Sequence, residues 1–161
     1  SESRITKIAA NSDFKVLAFV TIDNILAVHS MNNGCQVNRV NINDDVNYLI
    51  FTKKWSFLVT FTYKSIVVLN VDGEVVKVSD DFNDNVIVAE TFSSVNGFDF
   101  IIYQNDRNQV FYFEAFYPDS RKLLIEATAE IKNIFYDKMN ACVLSIYANG
   151  LVQLIPFSLP E

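Results

Sequence analysis

Glycine and proline are scarce in this chain, four and three among 161 residues. Flexible Gly/Ser linkers and Pro-rich tracts are thereby excluded, so the chain reads as one segment, 1–161. Long apolar runs are missing too. The longest, VLAFV at 16–20 and IVVL at 66–69, fall far short of the ~18–20 residues a membrane-crossing helix needs. The opening SESRITK lacks the charged-then-apolar layout of a signal peptide. Cysteine is rare: Cys35 and Cys142 have no CxxC or Cys-His spacing and read as two unpaired thiols in strands. Seventeen asparagines include no Asn-x-Ser/Thr acceptor, which favours a reducing, non-secretory compartment. Basic residues number thirteen, scattered singly or in pairs, and the net charge is −6. That balance excludes a nucleic-acid partner, which needs clustered cations on its phosphates. Histidine occurs once, as His29, and no GxSxG, P-loop, GxGxxG or HExxH motif is present. No catalytic constellation, metal site or cofactor is expected.

What the chain does have is apolar and aromatic residues, 50% and 14% of the total, enough for a folded core. They are arranged periodically. FKVLAFVTIDNILAVHSMNNG, residues 14–34, is two short apolar runs joined by Asp23-Asn24. The same layout returns from Trp55 (WSFLVTFTYKSIVVLNVDG), from Phe98 (FDFIIYQNDRNQVFYFEAFYPD) and from Ala141 (ACVLSIYANGLVQLIPF). Starts at 14, 55, 98 and 141 give spacings of 41, 43 and 43 residues. Asn149-Gly150 in the last is the strongest short hairpin signal. Another apolar run precedes each pair, at 5–10, 46–51, 86–92 and 131–136, and a fourth follows the first three pairs, at 35–42, 74–79 and 122–127. Runs of Val, Ile, Phe and Tyr bounded by Asn, Asp and Gly are strands. The stretch DSRKLLIEATAEIKNIFYD (119–137) comes nearest to a helical period, but its place in the repeat requires strand, turn, strand.

Four antiparallel strands every ~40–45 residues is the period of a β-propeller blade, the WD-repeat type in particular. The expected fold is all-β: four WD-like four-stranded blades, with repeats at about 5–44, 45–84, 85–128 and 129–161. Stacked blades cover both faces of each sheet, which explains nearly continuous apolar runs. The WD signature itself is missing. The Trp position holds His29, Leu69, Phe113 and Ile155, and the Asp position holds Ser30, Asn70, Glu114 and Pro156. In period and texture the chain resembles the degenerate WD-like repeats that end BEACH-domain proteins, notably divergent protist ones. That resemblance implies a segment of a larger, seven-bladed propeller in a large cytosolic membrane-trafficking protein, peripheral to membranes through its parent, where the propeller recruits partners. An incomplete ring leaves apolar blade ends open, so self-association of the isolated chain is expected.

Two candidate surfaces follow from the repeat. Second-to-third-strand turns share a face with the loops leading to the next blade, and that face gathers Asp23, Asp44, Asp45, Asp81, Asp84 and Asp106. Such a surface suits a basic protein partner. The second is FYFEAFY (111–117), five aromatics in seven residues. Phe111, Phe113, Phe116 and Tyr117 are its candidate anchors, with core packing as the alternative. His29, in the Trp position, is expected to be packed. The implied function is a non-catalytic protein-interaction scaffold. The alternatives are a purely structural blade set of a larger assembly and, disfavoured by the apolar first strands ITKIAA and VNYLIF, a propeller lectin or enzyme.

Overall fold

The computed structural model describes residues 3–158, and no helix occurs among them. Its strands form four antiparallel up-and-down sheets, each with its strands in chain order. The first blade comprises β1 (Ile5–Asn11), β2 (Val16–Thr21), β3 (Ile25–Ser30) and β4 (Gln36–Asn41). The second comprises β5 (Val46–Phe51), β6 (Leu58–Thr62), β7 (Ile66–Leu69) and β8 (Val75–Ser79). In the third are β9 (Val86–Ser93), β10 (Asp99–Asn105), β11 (Gln109–Glu114) and β12 (Lys122–Glu126). The fourth has three strands, β13 (Ile131–Asp137), β14 (Cys142–Tyr147) and β15 (Val152–Pro156). The 119–137 stretch is thus strand, loop, strand, as the repeat requires.

Local chemistry repeats with the blades. Every first strand carries a register shift at the same place, at Thr6, Asn47, Ile87 and Lys132. A bulge there bends the innermost strand and frees a side chain for another task. Asn47 uses its freedom to accept the Val86 N–H at 2.6 Å, tying the second blade to the third. The tight turns between second and third strands hold Asn24 (φ 61), Asn108 (φ 61) and Gly150 (φ 86) in the left-handed region that Asn and Gly tolerate best.

Consecutive blades stack through their first strands, β1 on β5, β5 on β9 and β9 on β13. Three apolar layers fill the gaps. Val16, Ala18, Val20, Leu26 and Val28 meet Leu49, Phe51, Leu58, Val67 and Leu69. Val59, Phe61, Ile66 and Val68 meet Ala89, Ile101, Tyr103 and Phe113. Phe100, Ile102 and Val110 meet Ile134, Val143, Ile155 and Phe157. Each fully buried Leu, Ile or Phe contributes about 1.5–3 kcal/mol, so these layers are what hold the blades together. The burial pattern shows which blades are internal. β6, β7 and β10 are buried at every residue, whereas β14 alternates between buried and half-buried positions. Strands covered on both faces lose their alternation, and those with one free face keep it. No stacking of that extent joins β13 to β1 among the described residues, so the four blades form an open arc.

Candidate interaction surfaces

The arc has two rims. On the first, hydrogen bonds link the second-to-third-strand turns to the loops between blades: Ile42 N–H to Asn24 O (3.0 Å), Asp106 N–H to Asn85 O (3.0 Å), Ala148 N–H to Glu130 O (3.1 Å). On the opposite rim, the first-to-second and third-to-fourth loops meet, as Met31 N–H to Lys15 O (2.7 Å) and Ala115 N–H to Asp99 O (2.9 Å).

The first rim carries most of the expected acidic residues, and several serve the fold. Asp23 accepts from Ser3 Oγ at 2.6 Å, and Asp45 accepts from Asn24 Nδ2 at 3.1 Å. Asp84 accepts from Arg107 Nη2 at 2.6 Å and Asn105 Nδ2 at 3.1 Å. Asp44 is half-buried, while Asp45 and Asp106 are exposed. Asp81 is drawn away from this group. Its carboxylate lies 2.7 Å from Ser79 Oγ and 3.0 Å from Arg121 Nη2, a residue of the loop before β12 in the next blade. Those two hydrogen bonds, with the charge of Arg121 added, hold the Asp81 carboxyl below its ordinary range.

The aromatic candidates divide. Phe113 is buried and Phe111 packs against the same layer, where Tyr103 and Phe111 stack at 5.6 Å. Both lie with the core, the packing alternative for this stretch, because the alternation of β11 turns them between blades. Phe116 and Tyr117, past the end of β11, reach the surface. There they meet residues that sequence reasoning passed over. Trp55, in the loop between β5 and β6, is 56% exposed. Its indole Nε1–H donates to Gly97 O at 2.7 Å, and its backbone N–H donates to Asp99 Oδ2 at 2.8 Å. Asp99, 3% exposed at the start of β10, also accepts from Lys54 N–H at 3.0 Å and Ser93 Oγ at 2.8 Å. The next blade therefore fixes the loop and ring of Trp55 from below.

Around this ring is an open groove of about 330 Å³, lined by Trp55, Phe57, Phe98, Glu114, Phe116 and Tyr117. Phe57 and Phe116 lie 5.8 Å apart, and Phe116 meets Tyr117 edge-on at 5.6 Å. Lys77 Nζ lies 4.8 Å above the Phe116 ring, a cation–π contact. Glu114 also borders a second hollow of about 230 Å³ with Tyr112 and Lys122, and burial raises its carboxyl pKa. Trp55 could not have been paired with Asp99 from the sequence, since 44 residues separate them and no local motif marks the contact.

His29 is half-buried rather than packed, its ring 5.1 Å from that of Phe19. It sits on the face of the first blade that has no neighbour. No group of three or more His, Cys, Asp or Glu side chains gathers in metal-ligating geometry among the described residues. No helix among them is long and apolar enough to cross a membrane.

No family model matches the sequence, and no curated protein matches it. Solved structures do match. The WD40 domain of SCAP from fission yeast superposes with a TM-score of 0.73 at 12% identity, covering 99% of this chain and 40% of that one. BBS1N, solved in complex with ARL6DN, gives 0.70 at 8% identity over 94% of this chain and 51% of that one. The computationally designed protein Ika4 gives 0.67 at 13% identity over 98% of this chain and 94% of that one. The chain thus spans about half or less of the two natural chains, and its fold is that of WD40-type propellers.

Proposed function

We propose that the chain is a non-catalytic protein-interaction scaffold that docks a partner's segment in the aromatic groove between its second and third blades. The observation that carries this reading is Trp55, more than half exposed yet held by two hydrogen bonds from the neighbouring blade. An aromatic ring fixed before binding loses little freedom on association, and Trp and Tyr dominate the energetic centres of interfaces. A propeller of like fold, BBS1N, has been solved with a protein partner, which supports partner docking as the use of such a scaffold. Resemblance to the terminal repeats of BEACH-domain proteins extends the proposal to a parent protein in membrane traffic, cytoplasmic and peripheral to membranes.

A basic partner on the first rim is a second reading. It is favoured by a depression of about 360 Å³ lined by Tyr63, Asp84, Asp106 and Arg107. A peptide library panned on the wild-type chain tests both. Groove docking predicts that Trp55→Ala weakens selected peptides by at least tenfold, about 1.4 kcal/mol, while Asp45→Lys and Asp106→Lys leave them unchanged. The reverse pattern assigns the acidic rim. Peptides indifferent to all three substitutions would sink both readings.

A further inference from the structure

The groove beside Trp55 is built from the second and third blades, the two that have a neighbour on each side. Its rings open to water on the rim: Trp55 is 56% exposed, Tyr117 52% and Phe98 44%. Two carboxylates border it as well, Asp99 at the start of β10 and Glu114 at the end of β11. They stand on adjacent strands, since Glu114 pairs with Phe100 and the Ala115 N–H donates to Asp99 O at 2.9 Å. Neither has a cationic partner. The ion pairs among the described residues are Asp84 with Arg107 and Asp81 with Arg121. Two backbone N–H groups and a hydroxyl satisfy the Asp99 carboxylate as an acceptor without neutralising its charge. Glu114 is half-buried, and burial shifts its carboxyl upward with no cation or hydrogen bond opposing the shift.

We propose that the groove receives a basic side chain of the docked segment, a lysine or an arginine, with its charged head between the aromatic rings and the Glu114 carboxylate. The inference rests on the groove being the docking site. Three observations favour a cation over an apolar or acidic occupant. First, aromatic rings present negative faces to what lies over them, and Trp attracts a cation best. Lys77 Nζ already stands 4.8 Å from the Phe116 ring and 5.8 Å from that of Tyr117, and it leaves the groove unfilled. Second, a cation gives Glu114 the partner it lacks. An acidic occupant would add a like charge, and an apolar one would bury the carboxylate further without compensation. Third, the stem of a lysine or arginine is apolar and lies along such rings while its head stays hydrated at an open rim.

The test uses peptides panned on the wild-type chain and kept when Trp55→Ala weakens them at least tenfold. Each is expected to carry a Lys or Arg whose replacement by Met lowers affinity at least tenfold in calorimetry. Glu114→Gln keeps the size and removes the charge. It should weaken the basic peptide about tenfold and leave the Met peptide unchanged, so that the two losses do not add. The peptide substitution is read on the wild-type chain, so the outcome does not depend on how a variant folds. Trp55-dependent peptides that bind equally well with Met overturn this inference and leave groove docking standing. So does a basic residue whose contribution survives Glu114→Gln and is lost with Asp45→Lys, because the charge is then read by the acidic rim. If Trp55→Ala weakens no peptide, groove docking and the inference fall together.

Discussion

Asp99 sits where β10 begins, and its carboxylate gathers two backbone N–H groups and a hydroxyl from residues six to 45 positions away. Nothing in its local sequence announces this, because the donors are backbone groups of a loop one blade earlier. The groove around Trp55 was invisible in the sequence for the same reason. FYFEAFY, by contrast, was conspicuous, and in the fold Phe111 and Phe113 lie with the core while Phe116 and Tyr117 reach the surface. Glu90 is a different kind of residue. It stands on β9 partly withdrawn from water, and this desolvation raises its pKa above the ordinary 4.5, with Lys53 opposing the shift. A raised carboxyl pKa means that the folded state binds the proton more tightly than the unfolded state. Ionisation therefore costs stability above the folded-state pKa, and the cost fades as pH falls through that value towards 4.5. Glu90→Gln should therefore stabilise the chain at pH 7. Urea melts of both proteins at pH 7 and pH 4 check this, since the gain must shrink at the lower pH.

At the scale of the element, strand positions were readable almost to the residue. Apolar runs bounded by Asn, Asp and Gly decide where a strand can start and stop, and β2 and β5 fall where those runs lie. The bulges of the first strands were not readable, because an inserted residue changes the register without changing the texture of the run. Turns depend on single residues. Gly73 (φ 76) closes the turn between β7 and β8, where its carbonyl accepts Asn38 Nδ2 from the first blade at 2.7 Å. A Cβ there would lie 2.8 Å from Asn38 Cβ and 3.2 Å from Val28 Cγ2. Gly150 (φ 86) closes an equally left-handed turn with nothing within 4 Å of an added Cβ. Gly150→Ala should therefore cost about 1 kcal/mol of backbone strain. Gly73→Ala carries that strain and the clash, and should lose at least 2 kcal/mol. Equal losses for the two variants in denaturant melts would show that the contact between blades carries no weight.

For the whole molecule, the period of 41–43 residues was enough to read the architecture although the Trp-Asp signature is absent. Blade stacking depends on apolar faces recurring at that spacing, and Leu69 or Phe113 fills the position of the missing Trp as a buried side chain. Whether an arc closes is not written in any one repeat, since closure depends on what meets the first and last faces. Two free thiols give an independent reading of that question. Cys142 is half-buried on the forward face of the fourth blade, opposite Asp137 and Pro156, whereas Cys35 is exposed in the turn before β4. Self-association through the blade ends would cover the forward face and leave Cys35 free. Cys142 of the isolated chain should then react slowly with a bulky thiol reagent at high concentration, and faster as dilution releases the face. Cys35 should react at one rate throughout. Mass spectrometry of the labelled chain at stepped concentrations distinguishes the two sites. A Cys142 rate that ignores concentration would mean that the face stays open and that the isolated chain does not associate through it.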